Sequence, residues 1–246
     1  MAGGDMKKAP GKTGSGARTL TTRLKTAEGR TISSQRWLQR QLNDPYVTAA
    51  KALGYRSRAA FKLKQIHERY KLFRKGMRVL DLGAAPGGWS QIAADLVATS
   101  AARPGRVLAV DINPMETLAG VTVLQEDFLS EGAEGRIEVA LGGRADAVLS
   151  DMVAPATGHR LTDHLRIMAL AEAAGVFAAE VLVPGGFFLC KVLQGGSEHD
   201  LLTLLKRNFT AVRHVKPEAS RSDSAELYVL ATGFRGSANR GKAASP

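Results

Sequence analysis

Val79-Leu80-Asp81-Leu82-Gly83-Ala84-Ala85-Pro86-Gly87-Gly88-Trp89-Ser90-Gln91 joins an apolar strand to a helix through a turn of small residues. Residues without a Cβ let the main chain approach a ligand closely, and the first turn of a helix offers unpaired N–H groups. This is chemistry for holding a nucleoside-containing cofactor. The glycines follow GxxxGG rather than the GxGxxG of dinucleotide sites, and the turn lacks the Gly-Lys-Ser/Thr of a phosphate loop. With Asp81 closing the strand, the combination favours S-adenosylmethionine.

More acids stand where strands end. Asp111 follows the second apolar strand, where a carboxylate can accept hydrogen bonds from both ribose hydroxyls. Asp127, in Leu124-Gln125-Glu126-Asp127-Phe128, could accept from an adenine amino group, and Asp151 ends Val148-Leu149-Ser150-Asp151-Met152. Any one of them reads equally well as a solvated strand end or a helix cap. Four acids at successive strand ends, counting Asp81, point instead to a shared ligand.

Two lysines and one glutamate complete the reactive set. Lys191 follows the apolar run Gly186-Phe187-Phe188-Leu189-Cys190, and Lys62 flanks a helical stripe of Ala59, Leu63, Ile66 and Tyr70. Taken alone, each is an ordinary solvated or phosphate-touching lysine. Glu226 precedes Leu227-Tyr228-Val229-Leu230, where an inward carboxylate is costly without a cationic partner. That favours a paired Glu226.

Alternating strands and helices must position these groups. Apolar periodicity predicts helices over 34–42 and 57–70, then a strand over 78–82 and a helix from Gly88. Strands follow over 106–112, 121–125 and 146–150, a helix over 160–182, a strand over 186–192 and a helix over 198–208. The chain closes on strands over 210–215 and 225–232. The alternation implies an α/β fold with a mostly parallel sheet covered on both faces. The short connection between the last two strands makes one of them antiparallel. Ligands of such sheets bind beyond the carboxyl ends of the strands.

With 246 residues, 44% of them hydrophobic, the chain can bury one good core. Its net charge of +11 suggests a polyanionic partner. The charge is localised: residues 1–75 hold 18 Lys/Arg against 4 Asp/Glu, a net of +14, and residues 76–246 hold 16 against 19, a net of −3. Residues 1–33 have no aromatic residue and no apolar periodicity, so they are expected to form a flexible basic arm. The catalytic domain is expected over 34–235 and a disordered tail over 236–246. The single cysteine, Cys190, reads as a core thiol, and the histidines at 67, 159, 164, 199 and 214 form no ligand cluster, so no metal is expected. No stretch has the length of a membrane span or a secretory signal, which places the protein in the cytoplasm with no membrane partner.

Five separated motifs, in order, resemble the FtsJ-type ribose 2′-O-methyltransferases. They are Ser57-Arg58-Ala59-Ala60-Phe61-Lys62-Leu63, the run from Asp81 to Gln91, Ser150-Asp151-Met152, Lys191-Val192-Leu193-Gln194-Gly195 and Ser220-Arg221-Ser222-Asp223-Ser224-Ala225-Glu226-Leu227-Tyr228. The similarity spans roughly residues 45–232. It implies a Rossmann-like S-adenosylmethionine-dependent methyltransferase acting on a uridine ribose of 23S ribosomal RNA in the large ribosomal subunit, as a monomer. It also implies a Lys-Asp-Lys-Glu tetrad at Lys62, Asp151, Lys191 and Glu226, and cofactor contacts at Gly87, Trp89, Asp111, Asp127 and Asp151. The chain departs from the family after the fourth strand, where Asp151-Met152-Val153-Ala154-Pro155-Ala156 replaces the common Asp-Met-Ala-Pro-Asn.

The tetrad makes physical sense. A ribose hydroxyl is a weak nucleophile, so in-line attack on a sulfonium methyl needs a group that orients the oxygen and accepts its proton. Burial and the nearby cation Lys62 favour a neutral Lys191, while Asp151 and Glu226 oppose that. On this reading Lys191 is the proton acceptor, Lys62 positions the substrate or its phosphate, and the carboxylates orient the lysines. Two alternatives stand beside it: a transfer RNA ribose methyltransferase of the same family, and a noncatalytic RNA-binding ribosome assembly factor.

Overall fold

Near-continuous buried runs such as Val79–Leu82 and Val107–Val110 give the central strands two faces to bury, and helices cover both. The computed structural model describes residues 31–98, 104–195 and 198–236. The described residues begin with three helices: α1 (Ile32–Leu42), α2 (Pro45–Leu53) and α3 (Ala59–Tyr70). Strands and helices then alternate through β1 (Arg78–Leu82), α4 (Gly88–Val97), β2 (Arg106–Asp111), β3 (Val121–Gln125), α5 (Ala133–Leu141) and β4 (Ala145–Ser150). The last third holds α6 (Arg160–Val181), β5 (Leu182–Leu193), α7 (His199–Asn208), β6 (Phe209–Val215) and β7 (Glu226–Phe234).

The seven strands form one sheet in the order β3-β2-β1-β4-β5-β7-β6. Every neighbouring pair is parallel except those that involve β7, which runs antiparallel to both β5 and β6. The sheet is therefore mostly parallel with one antiparallel strand, as expected from the sequence. Strand order reverses between β1 and β4, and the crevice outside their carboxyl ends is where such folds bind ligands.

Side-chain alternation along β5 assigns its residues to the two faces. Phe188, Cys190 and Val192 pack with residues of α6 and α7. Phe187 and Leu189 pack on the other face with Leu63 of α3 and Trp89 of α4. The same period places Lys191 on the α3 side. Cys190 is a free, buried thiol, and burial pushes its ionisation well up.

Two helices escape the periodicity reading, although one carried a local signal. Before α2, Asp44 accepts the Tyr46 N–H at 3.0 Å, Pro45 takes the first helical position, and Gly54 at φ 72° ends the helix. This is the arrangement of cap, proline and terminal glycine that favours a short helix. Helix α5 is bracketed by Gly132 and Gly142, both at positive φ. The expected helix over 57–70 starts at Ala59, and the strand expected over 186–192 extends to Leu182–Leu193. Helix α1 begins at Ile32, inside the expected arm; residues 1–30 and most of the expected tail lie outside the described residues. Among the described residues, no helix is long and apolar enough to cross a membrane, and no group of His, Cys, Asp or Glu could hold a metal ion.

Candidate active site

A cleft of about 620 Å³ opens beyond the carboxyl ends of β1, β2 and β4. Gly83 and Ala85 form its floor, Asp111 and Asp127 one wall, and Asp151 and Met152 another. Gly83 has φ +69°, and a Cβ there would lie 2.1 Å from Met152 Cγ, so any side chain would collide with the opposite wall. The turn is tied to β2: Gly83 and Ala84 donate their N–H groups to the Val110 carbonyl at 2.8 and 3.1 Å. Asp111 holds it from the side, its Oδ2 accepting the Ala85 N–H at 2.9 Å and its Oδ1 accepting the Asn113 N–H at 2.8 Å. Asp127 Oδ1 accepts the Leu129 N–H at 2.9 Å. Ile112, Leu129 and Val153 line the same cleft, yet are 64%, 57% and 59% exposed. Apolar side chains open to solvent beside carboxylates suit a flat heterocycle with polar edges.

Beneath the turn, Asp81 is buried and Ser90 Oγ donates to its Oδ2 at 2.6 Å. Burial pushes the Asp81 carboxyl up to about 7, with Asp151 and Asp111 adding to the rise and the Ser90 hydrogen bonds opposing it. The folded chain thus keeps a proton at Asp81 that the unfolded chain, titrating near 3.8, has already released. The stability this confers is full at pH below 3.8 and is lost as pH rises through about 7. Asp81→Asn should remove that loss. Relative to wild type, its unfolding free energy should gain up to about 4 kcal/mol between pH 4 and pH 8. Urea unfolding at the two pH values checks this; equal slopes with pH for the two proteins would contradict it.

On the α3 side of Asp151, two lysines, two carboxylates and a tyrosine meet. Lys191 Nζ lies 2.7 Å from Asp151 Oδ1 and 3.8 Å from Glu226 Oε2. It also donates to the Asp151 carbonyl at 3.1 Å. Lys62 Nζ lies 2.6 Å from Glu226 Oε1 and donates to the Tyr228 hydroxyl at 3.0 Å. That hydroxyl in turn donates to Asp151 Oδ1 at 2.8 Å, with Glu226 Oε1 at 3.3 Å. Both lysines are buried, at 8% and 7% exposure, which such groups tolerate only when paired. Burial pushes the Glu226 carboxyl up, but Lys62 and Lys191, with hydrogen bonds from Lys62 and Ser220, outweigh it and hold it below its usual range. Tyr228 goes the other way: burial, then Asp151 and Glu226, raise it well above an ordinary phenol, so it stays a donor.

Register explains the meeting. Antiparallel pairing sets Tyr228 directly opposite Lys191, and Glu226 follows two residues away on the same face. Helix α3 packs over that face, and Lys62 projects from it toward β7. All four residues of the expected tetrad are therefore together, and Asp151 both lines the cleft and pairs with Lys191.

The expected cofactor contacts divide. Asp111, Asp127 and Asp151 face the cleft. Gly87 caps α4 at φ 106°, against the Arg56 and Met115 side chains rather than in the cleft. Trp89 is buried, with its indole N–H donated to the Ala59 carbonyl at 2.9 Å and its ring 5.5 Å from that of Tyr228. It couples α3 to α4 and β7, so only its main chain remains for a ligand. Tyr228 and Ser220 stand in one of the sequence motifs, which by itself assigns neither a role. A tyrosine inside an apolar strand reads as core, and only β7's register puts its hydroxyl among charges.

Comparison with known proteins shows the family. The family model described as FtsJ-like methyltransferase matches residues 55–234. The chain is 59% identical over 236 residues to the protein named Ribosomal RNA large subunit methyltransferase E of Parvibaculum lavamentivorans, covering 94% of this chain and 92% of that one. It is 58% identical over 244 residues to the protein of the same name from Paramagnetospirillum magneticum, covering 96% and 99%. Among solved structures, a protein of Plasmodium falciparum described as a ribosomal RNA methyltransferase superposes with a TM-score of 0.64 at 25% identity, over 74% of this chain and 100% of that one. With the matched region spanning the cleft and the lysine–carboxylate cluster alike, the chain belongs to the FtsJ-like methyltransferase family.

Proposed function

We propose that this protein transfers a methyl group from S-adenosylmethionine to the ribose 2′-hydroxyl of a uridine in 23S ribosomal RNA of the large ribosomal subunit. The carrying observation is the adjacency of cleft and cluster through Asp151, which lines one and pairs with Lys191 of the other. The names of the relatives support a ribosomal RNA substrate. Only RNA offers a 2′-hydroxyl, and the +14 carried by residues 1–75 suits its phosphates.

The cleft fits the cofactor. Asp111 retains lone pairs for ribose hydroxyls, Asp127 can accept from an adenine amino group, and Ile112 and Leu129 offer apolar surface to a base. When bound, S-adenosylmethionine supplies an electrophilic methyl group. The protein's own part is to hold the acceptor oxygen and take its proton. Lys191 gives up its own proton first, and its amine then accepts the proton of the 2′-hydroxyl as the new O–C bond forms and the methyl–sulfur bond breaks. Asp151 and Glu226 hold the amine in place, and Lys62 steadies the ribose or its phosphate while remaining paired with Glu226. Tyr228 keeps Asp151 and Lys62 in register.

Purified protein, labelled S-adenosylmethionine and either naked 23S ribosomal RNA, assembled large subunits or transfer RNA would test this. Label should enter a uridine 2′-O position of 23S ribosomal RNA, read by mass spectrometry, and the same mark should be missing from cells that lack the protein. Label in transfer RNA alone would move the assignment to that substrate. Tight RNA binding without transfer to any of them would make the protein a noncatalytic assembly factor.

A further inference from the structure

Glu226 is held by a residue outside the tetrad. The loop joining β6 to β7 returns beneath α3, and Ser220 on it is 7% exposed. Its hydroxyl donates to Glu226 Oε1 at 2.9 Å. We propose that Ser220 is a positioning residue for methyl transfer, fixing the rotation of the Glu226 carboxylate so that one oxygen serves Lys62 and the other faces Lys191. This rests on the reading of the cluster as the site of methyl transfer.

The terminal torsion of a glutamate is soft and roughly two-fold, so hydrogen bonds must set it. Oε1 meets Lys62 at 2.6 Å, Ser220 at 2.9 Å and Tyr228 at 3.3 Å, whereas Oε2 has Lys191 at 3.8 Å. Without Ser220, both oxygens are free to turn toward the closer Lys62. Lys191 would then keep only Asp151. The loop itself is firmly placed: Arg58 donates to the Ala219 carbonyl, and the Ala219 N–H donates to Gln65 Oε1 at 2.8 Å. Asp44 pairs with Arg58 and, at 3.1 Å, with Arg221, so the cap of α2 and the side chains of α3 together anchor the residues flanking Ser220. Such anchoring is what a hydroxyl needs if it is to impose an orientation rather than follow one.

Ser220→Ala and Ser220→Thr test the assignment. In the alanine variant, kcat should fall about tenfold, as for one lost charge-assisted hydrogen bond, with KM for cofactor and RNA unchanged. Threonine should restore most of it. The Glu226 carboxyl, observed by NMR with ¹³C-labelled glutamate and identified by its absence in Glu226→Gln, should titrate higher in the alanine variant. Lys62, Lys191, Tyr228 and Asp151, which face Glu226 from α3, β5, β7 and the end of β4, remain in place. An unchanged kcat with an unchanged titration would overturn the proposal. So would equal losses in both variants accompanied by falling cofactor affinity and thermal midpoint, which would mark Ser220 as part of the loop's packing only. If the wild-type protein methylates no RNA, the functional reading fails, and the titration still decides whether Ser220 holds Glu226.

Discussion

Lys191→Ala should slow methyl transfer by about a thousandfold, the middle of the range for removing a positioned proton acceptor, and leave cofactor affinity nearly unchanged. Lys191 is not itself among the residues that line the cleft and meets only one of them, Asp151, so the rest of the binding surface survives its loss. The substitution also leaves two partly buried carboxylates with Lys62, Tyr228 and Ser220 as their remaining side-chain partners. Some stability will be lost with the pair. Single-turnover assays at saturating cofactor, with calorimetry of cofactor binding and a thermal midpoint as controls, separate the two effects. Turnover within tenfold of wild type would show that another group takes the proton.

The second large effect is expected at Asp111. Asp111→Ala removes the acceptor of the Ala85 and Asn113 N–H groups and the carboxylate offered to the ribose hydroxyls. Losing hydrogen bonds to a charged acceptor costs about 2–3 kcal/mol, so cofactor affinity should drop about a hundredfold. The fold should persist, because Asp111 sits at the solvent end of β2 while the strand's interior residues Val107 to Val110 stay buried. Calorimetry showing wild-type affinity would remove Asp111 from the cofactor site.

Much of this architecture is legible in local pattern. β1 at Arg78–Leu82 and β3 at Val121–Gln125 stand at the expected bounds, because a short apolar run between turn residues leaves few alternatives. Helix α2 carried a readable signal in Asp44, Pro45 and Gly54, but its apolar periodicity is too brief to announce it. Trp89 shows the limit on the site itself. Its place in the motif is plain, yet nothing local tells whether its ring faces a ligand or, as found, Tyr228 and α3.

Strand ends, the glycine turn and the acids near it follow from neighbouring residues, since strand period and turn geometry are short-range properties. The lysine–carboxylate cluster is different. Lys62, Asp151, Lys191 and Glu226 are far apart in the chain, and they meet because β7 inserts between β5 and β6 in one register. A slip of one residue would turn Glu226 and Tyr228 to the opposite face. That register is selected by burying Tyr228 and Leu230 against α3 and α4 while Val229 and Ala231 meet α6 and α7. The sum of those contacts exists only once both layers have assembled on the sheet, so the pairing of these charges is a property of the folded molecule.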